Sequence, residues 1–112
     1  MPFDRAYAAL VNIEFNIDLA GRFLEGFTYE AFCEDLKTFY AVTRALEIIS
    51  EASRRLPNEL KARHPHVPWQ AIADAGNFYR HSYERVIEQA VWKTARTELP
   101  VIMAAVRAEL DR

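Results

Sequence analysis

The sequence predicts an all-α protein, an antiparallel bundle of four to five helices, and three observations predict it. Apolar residues recur at three- and four-residue intervals along nearly the whole chain, the spacing that lines one face of a helix. No stretch alternates apolar and polar residues as a half-buried strand does. Only 3 of the 112 residues are glycine, while 51% are hydrophobic, so the chain has the apolar content for a compact helical core. Short connections between the helices favour antiparallel neighbours.

The first helix is expected from about Asp4, a good N-cap, with Tyr7, Leu10, Val11, Phe15, Ile17 and Leu24 as its apolar positions and Gly26 as its stop. Thr28 can cap a short helix carrying Phe32. A second long helix then runs through Phe39, Val42, Leu46, Ile49, Ala52 and Leu56 and stops before Pro57, since the residue preceding a proline avoids helical backbone. Asn58 to Pro68, with prolines at 57, 65 and 68, is the longest irregular connection, with room for one helical turn at Glu59 to Arg63. Pro68 fits the first turn of a third helix bearing Trp69, Ile72 and Ala73. The last helical stretch runs from about Val86 to Leu110, and Pro100 must kink or split it, because proline removes a backbone donor and crowds the preceding turn.

A chain of this length holds one core, so residues 1–112 are read as a single domain. Fourteen basic against sixteen acidic residues give a formal charge of −2, which excludes a sequence-independent nucleic-acid coat and leaves room only for a local contact with a nucleic acid. Cys33 is the only cysteine, so neither an internal disulfide nor a thiolate zinc cluster can form. Charges interrupt every apolar run well short of the ~20 residues a membrane span needs, and no secretory signal opens the chain. The reading is a soluble cytoplasmic protein.

Chemistry concentrates in Gly76-Asn77-Phe78-Tyr79-Arg80-His81-Ser82-Tyr83, read as the end of a helix. Arginine can neutralise a phosphate, and histidine can move a proton near neutral pH. His81 is the candidate proton-transfer residue, against the plainer role of a half-buried ring bonded to a backbone carbonyl. Asn77 either orients a site through its amide or caps the helix. Gly76 is costly inside a helix, so either the helix bends or ends there or close packing explains it. Arg80, four residues on, would lie one turn away on the same face and could lay its guanidinium over Gly76. Tyr83 reaches the site only if the helix loosens after His81, and otherwise packs as an aromatic with its hydroxyl exposed. His64 and His66 are read as structural rather than as metal ligands. Glu47 and Glu51 are expected in surface ion pairs with Arg44 or Arg54, and Trp69 and Trp92 are expected as core or interface anchors.

Four blocks of the chain resemble the HepT-like branch of the HEPN superfamily, small helical ribonuclease toxins. The family motif Arg-Asn-x-x-x-His-x-Tyr is met at Asn77, His81 and Tyr83, with Gly76 where the family has its arginine. Arg44-Ala45-Leu46-Glu47-Ile48-Ile49-Ser50-Glu51-Ala52 resembles the family's Arg-x-Leu-Glu-Ile-Ile-Gly-Glu-Ala segment. His64-Pro65-His66-Val67-Pro68-Trp69 resembles its His-Pro-x-Ile-Pro-Trp, and Val91-Trp92 followed by Leu99-Pro100 resembles its closing helix.

The resemblance implies a helical bundle of HEPN type spanning residues 1–112, acting on RNA as a metal-independent endoribonuclease without cofactor. It also implies a homodimer with facing motifs, which the count of seven Phe, five Tyr and two Trp in so small a chain suits. The implied partner is a nucleotidyltransferase-type antitoxin that adenylylates Tyr83. His81, Arg80 and Asn77 are the implied catalytic set, with Arg80 standing in for the arginine absent at Gly76. The alternative is a catalytically silent HEPN domain, kept as a partner of a nucleotidyltransferase or as an RNA-binding module.

Overall fold

The computed structural model describes the backbone of residues 2–81 and 85–112 and the side chains of residues 5–79 and 87–112. Its helices are α1 (Pro2–Leu24), α2 (Tyr29–Glu34), α3 (Leu36–Ser53), α4 (Asn58–Ala62), α5 (Trp69–His81), α6 (Arg85–Lys93) and α7 (Leu99–Leu110), with a π-helical turn at Thr94–Glu98 joining the last two. No strand occurs among the described residues. The four long rods are α1, α3, α5 and the α6–α7 unit, and α2 and α4 are short links. The all-α bundle is the architecture the spacing predicts.

The central pair is α1 against α3, with α5 and α7 packed on its flanks. Helix α1 begins at Pro2 rather than being capped by Asp4, and its buried face is Ala9, Leu10, Ile13, Ile17, Ala20 and Leu24. Tyr7, Val11 and Phe15, counted among the apolar positions of this helix, form an adjacent row at four-residue spacing that stays in solvent, Phe15 being 59% exposed. The reason is size. Ala9 and Ala20 carry little hydrophobic signal, yet both are fully buried, and small side chains of this kind let a neighbouring helix approach closely.

Chain reversals follow the expected punctuation. After α1 the Phe27 amide closes a turn on the Leu24 carbonyl at 2.9 Å, and Gly26 takes a φ of +81°, a conformation side chains disfavour. Thr28 accepts the Ala31 amide at 3.1 Å and caps α2. Asp35 closes α2 and caps α3, its carboxylate taking the Thr38 amide at 3.3 Å and the Thr38 hydroxyl at 3.1 Å. Helix α3 ends at Ser53, short of the expected Leu56, because the winding tightens to three-residue bonds at Arg54, Arg55 and Leu56 ahead of Pro57.

The Pro-rich connection, expected as an irregular loop, is tied down at both ends. The Trp69 indole donates to the carbonyls of Lys61 and His64, each at 3.1 Å. Glu109 on α7, its side chain 5% exposed, receives Arg63 at 2.6 and 3.0 Å and His64 at 2.7 Å. Trp92 anchors the opposite region as expected, packed on Phe32 at 5.3 Å between ring centres and on Tyr29 at 5.8 Å, with the Arg96 guanidinium 4.6 Å from its ring.

The break expected at Pro100 takes the form of a wide turn just before it. Proline supplies no amide and crowds the carbonyl one turn back, so the ladder shifts and the Leu99 amide bonds the Thr94 carbonyl, five residues earlier. The shift also sets phase. Val91 and Leu99 are both buried, and eight α-helical residues would leave them ~80° out of line; absorbing one residue in the π turn brings them within ~20°.

Candidate functional site

Helix α5 starts directly after Pro68, whose carbonyl accepts the Ile72 amide at 3.0 Å, and Gln70 donates to Asp74 at 3.1 Å across its first turns. Ile72, Gly76 and Tyr79 are buried, so one stripe of α5 faces inward. The helix runs unbroken through Gly76 to His81. Of the readings open for Gly76, the bend and the cap therefore fall away, and close packing explains it.

The packing partner is Ser50 on α3. Its hydroxyl accepts the Gly76 amide at 3.1 Å and donates to the Ala73 carbonyl at 3.0 Å, so one side chain bridges a full turn of the motif helix. Such a buried tie contributes about 0.5 to 1.5 kcal/mol per hydrogen bond, enough to offset the ~1 kcal/mol that glycine costs a helix.

Arg54, at the C-cap of α3, reaches the same carbonyl. Its Nε lies 3.1 Å and its Nη2 2.6 Å from the Ala73 oxygen. This corrects one of its expected pairings, because Glu51 pairs with Arg55 at 3.7 Å and Glu47 with Arg44 at 3.4 Å. Periodicity missed both Ser50 and Arg54. One signal was present in the sequence: Ser50 stands where the resembled segment has glycine and Gly76 where the motif has arginine, and the two departures touch.

Asn77 is exposed and lies mid-helix, which removes its capping role. Arg80 and His81 hold the last two positions of α5, and their side chains, including any reach of Arg80 over Gly76, lie outside the described residues. Tyr83 also lies outside them. By register Asn77 and His81 share one face of α5, four residues apart, and Gly76 and Arg80 share the neighbouring one.

Tyr79, beside the motif, is a structural residue. Burial pushes its phenol above the ordinary value of 10.0, opposed by its bond with Thr94 and aided by nearby Glu98. Its hydroxyl donates to Thr94 Oγ1 at 3.3 Å. The cavity it lines with Ile49, Ile72 and Leu99 measures about 50 Å³, suited to a water or two and far too small for a nucleotide. His64 is committed to Glu109, and among the described residues no cluster of three His, Cys, Asp or Glu is placed to hold a metal ion.

A family model described as ribonuclease HepT-like matches residues 13–109, a span containing Ser50, Arg54, Gly76, Asn77, Arg80, His81 and Tyr83. The chain belongs to the HepT-like ribonuclease family. Among its HepT-like relatives is a Thermococcus cleftensis protein named probable ribonuclease HepT, 40% identical over 84 residues, covering 75% of this chain and 76% of that one. A Methanocaldococcus jannaschii protein bearing an RNase name is 33% identical over 102 residues, covering 91% of this chain and 84% of its own. A third, with an RNase name in Caldanaerobacter subterraneus subsp. tengcongensis, is 34% identical over 89 residues and 80% of each chain. No solved structure matches this HepT-like chain significantly. No described helix is long and apolar enough to cross a membrane.

Proposed function

We propose that this HepT-like protein is a metal-independent endoribonuclease, the toxin of a toxin–antitoxin pair, acting in the cytoplasm as a single-domain chain. The observation that carries the reading is the family match across residues 13–109, which spans the whole Asn77, His81 and Tyr83 motif on and after α5. RNA brings its own nucleophile. The 2′-oxygen attacks the adjacent phosphorus, the bond to the 5′-oxygen breaks, and the proton lost by the 2′-hydroxyl is balanced by one delivered to the leaving oxygen. His81 is the proton-transfer group, Arg80 stabilises the charge on the phosphorane, and Asn77 orients the phosphate through its amide.

The same reading assigns regulation to Tyr83, adenylylated by a nucleotidyltransferase-type antitoxin, and makes the active form a homodimer. Support for the dimer comes from α1, where Tyr7, Val11 and Phe15 form an exposed apolar row. Incubating purified protein with single-stranded RNA in EDTA tests the activity: the reading expects fragments ending in 2′,3′-cyclic phosphate, and intact RNA at high enzyme concentration defeats it.

A specific observation favours a second reading. Gly76 is buried and its amide is engaged by Ser50, so the position that carries arginine in the resembled motif offers an anion no side chain. A catalytically silent domain that binds a nucleotidyltransferase or RNA would have that property. Loss of one anion contact is worth roughly 10²- to 10³-fold in rate. Growth arrest on expression of the chain alone separates the two.

A further inference from the structure

We propose that Arg54, on the neighbouring helix α3, binds a backbone phosphate of the RNA beside the exposed Asn77 of α5. The proposal rests on the ribonuclease reading and adds to it a phosphate-binding residue outside the motif.

The geometry of the guanidinium carries it. Arg54 is exposed, yet it is pinned edge-on to a single neutral oxygen, the Ala73 carbonyl, through Nε at 3.1 Å and Nη2 at 2.6 Å. Its charge is uncompensated: no carboxylate of the described residues lies within ion-pair distance, whereas its neighbours on the same helix, Arg44 and Arg55, each have a glutamate. An arginine offers five N–H donors, of which this contact uses two. The Nη1–Nη2 edge, the second of the two edges that match a phosphate in paired fashion, is engaged by no described residue.

The location follows from helix geometry. A helical carbonyl points toward the C-terminus and meets the amide four residues on, so a donor held at the Ala73 oxygen sits at the level of Asn77. On that side Gly76 presents no side chain, and Ser50 holds the two helices together. Ser50 and Arg54 share the tie to Ala73, and the Arg54 contact also places a fixed cation there. Fixing the arginine in advance lowers the ordering cost of gripping an anion, which favours a positioned contact over a loose surface charge.

The test uses the full chain carrying His81→Ala, so that RNA stays intact, and follows binding of a labelled single-stranded RNA oligonucleotide by fluorescence anisotropy across a salt series. Arg54→Gln keeps a donor for the Ala73 carbonyl and removes the charge; it should weaken binding about 10- to 100-fold and lower the slope of log affinity against log salt by about 0.7. Arg54→Lys keeps the charge without the paired edge, so the slope should hold while affinity falls several-fold. Binding by Arg54→Gln equal in strength and slope to the parent overturns the proposal and leaves the ribonuclease reading standing. A parent that binds no RNA at any salt removes both. Should Arg54→Gln fail to fold, Arg54→Lys decides, and unchanged affinity in that variant overturns the proposal.

Discussion

His64 and Glu109, forty-five positions apart in the sequence, meet at 2.7 Å and join the Pro-rich connection to the last helix. The Arg63 hydrogen bonds hold the Glu109 carboxyl down to about 2 from its ordinary 4.5, with burial opposing and His64 adding to the fall. The folded state thus keeps this group ionised where the unfolded chain would protonate it. Its stabilisation is fully present above about 4.5 and is lost as pH falls toward about 2. Urea midpoints measured down this range should decline more steeply for the parent than for Glu109→Gln, which should itself cost about 1 to 3 kcal/mol at neutral pH. Parallel acid limbs in the two proteins would remove Glu109 from the account.

Ser50→Ala leaves the Gly76 amide and the Ala73 carbonyl without the hydroxyl between them. The expected loss is about 1 to 2 kcal/mol in unfolding free energy, with the denaturant slope unchanged because the fold is the same. A loss below the error of the measurement would show that Arg54 alone suffices to hold Ala73.

His81→Ala should reduce RNA cleavage by ~10²- to 10⁴-fold while its far-ultraviolet circular dichroism stays that of the parent. Cleavage by the parent should be indifferent to EDTA. Full activity in the variant would move proton transfer to another group.

Tyr83 is expected to gain adenylyl groups on co-expression with a nucleotidyltransferase partner, read as intact-mass additions absent from Tyr83→Phe. The attached phosphate and nucleoside would repel and obstruct RNA, so modified protein should bind it poorly. Additions that persist in Tyr83→Phe would place the modification elsewhere.

Sedimentation equilibrium at micromolar concentration should give twice the 13.0 kDa chain mass. A monomer that persists on concentration would contradict a dimeric toxin.

Signals that act within a few residues were readable in the sequence, and those that act between helices were not. Thr28, Gly26 and Pro68 stand where their local preferences put them, since capping, positive φ and proline geometry need no distant partner. The apolar spacing of α1 counts Tyr7 and Phe15 with Leu10 and Ile17, and hydropathy ranks these exposed aromatics above the buried Ala9 and Ala20. The ties of Ser50 and Arg54 end on backbone atoms of α5, and a backbone acceptor leaves no mark in a sequence. The motif residues themselves were found by their pattern, and their roles are chemical inferences from it.

The wide turn at Thr94–Glu98 makes the C-terminal rod a two-part lock whose halves are set one step out of register. Its downstream half carries Glu109, which latches the connection leading into the motif helix through Arg63 and His64. Adding a residue to the turn would swing α7 by ~100° relative to α6, so that either Glu109 leaves its latch or the buried face of α6 turns outward, whereas deleting one would return the turn to α-helical winding with the phase kept. The segment is therefore held to no more than five residues, a limit on length that no single side chain records.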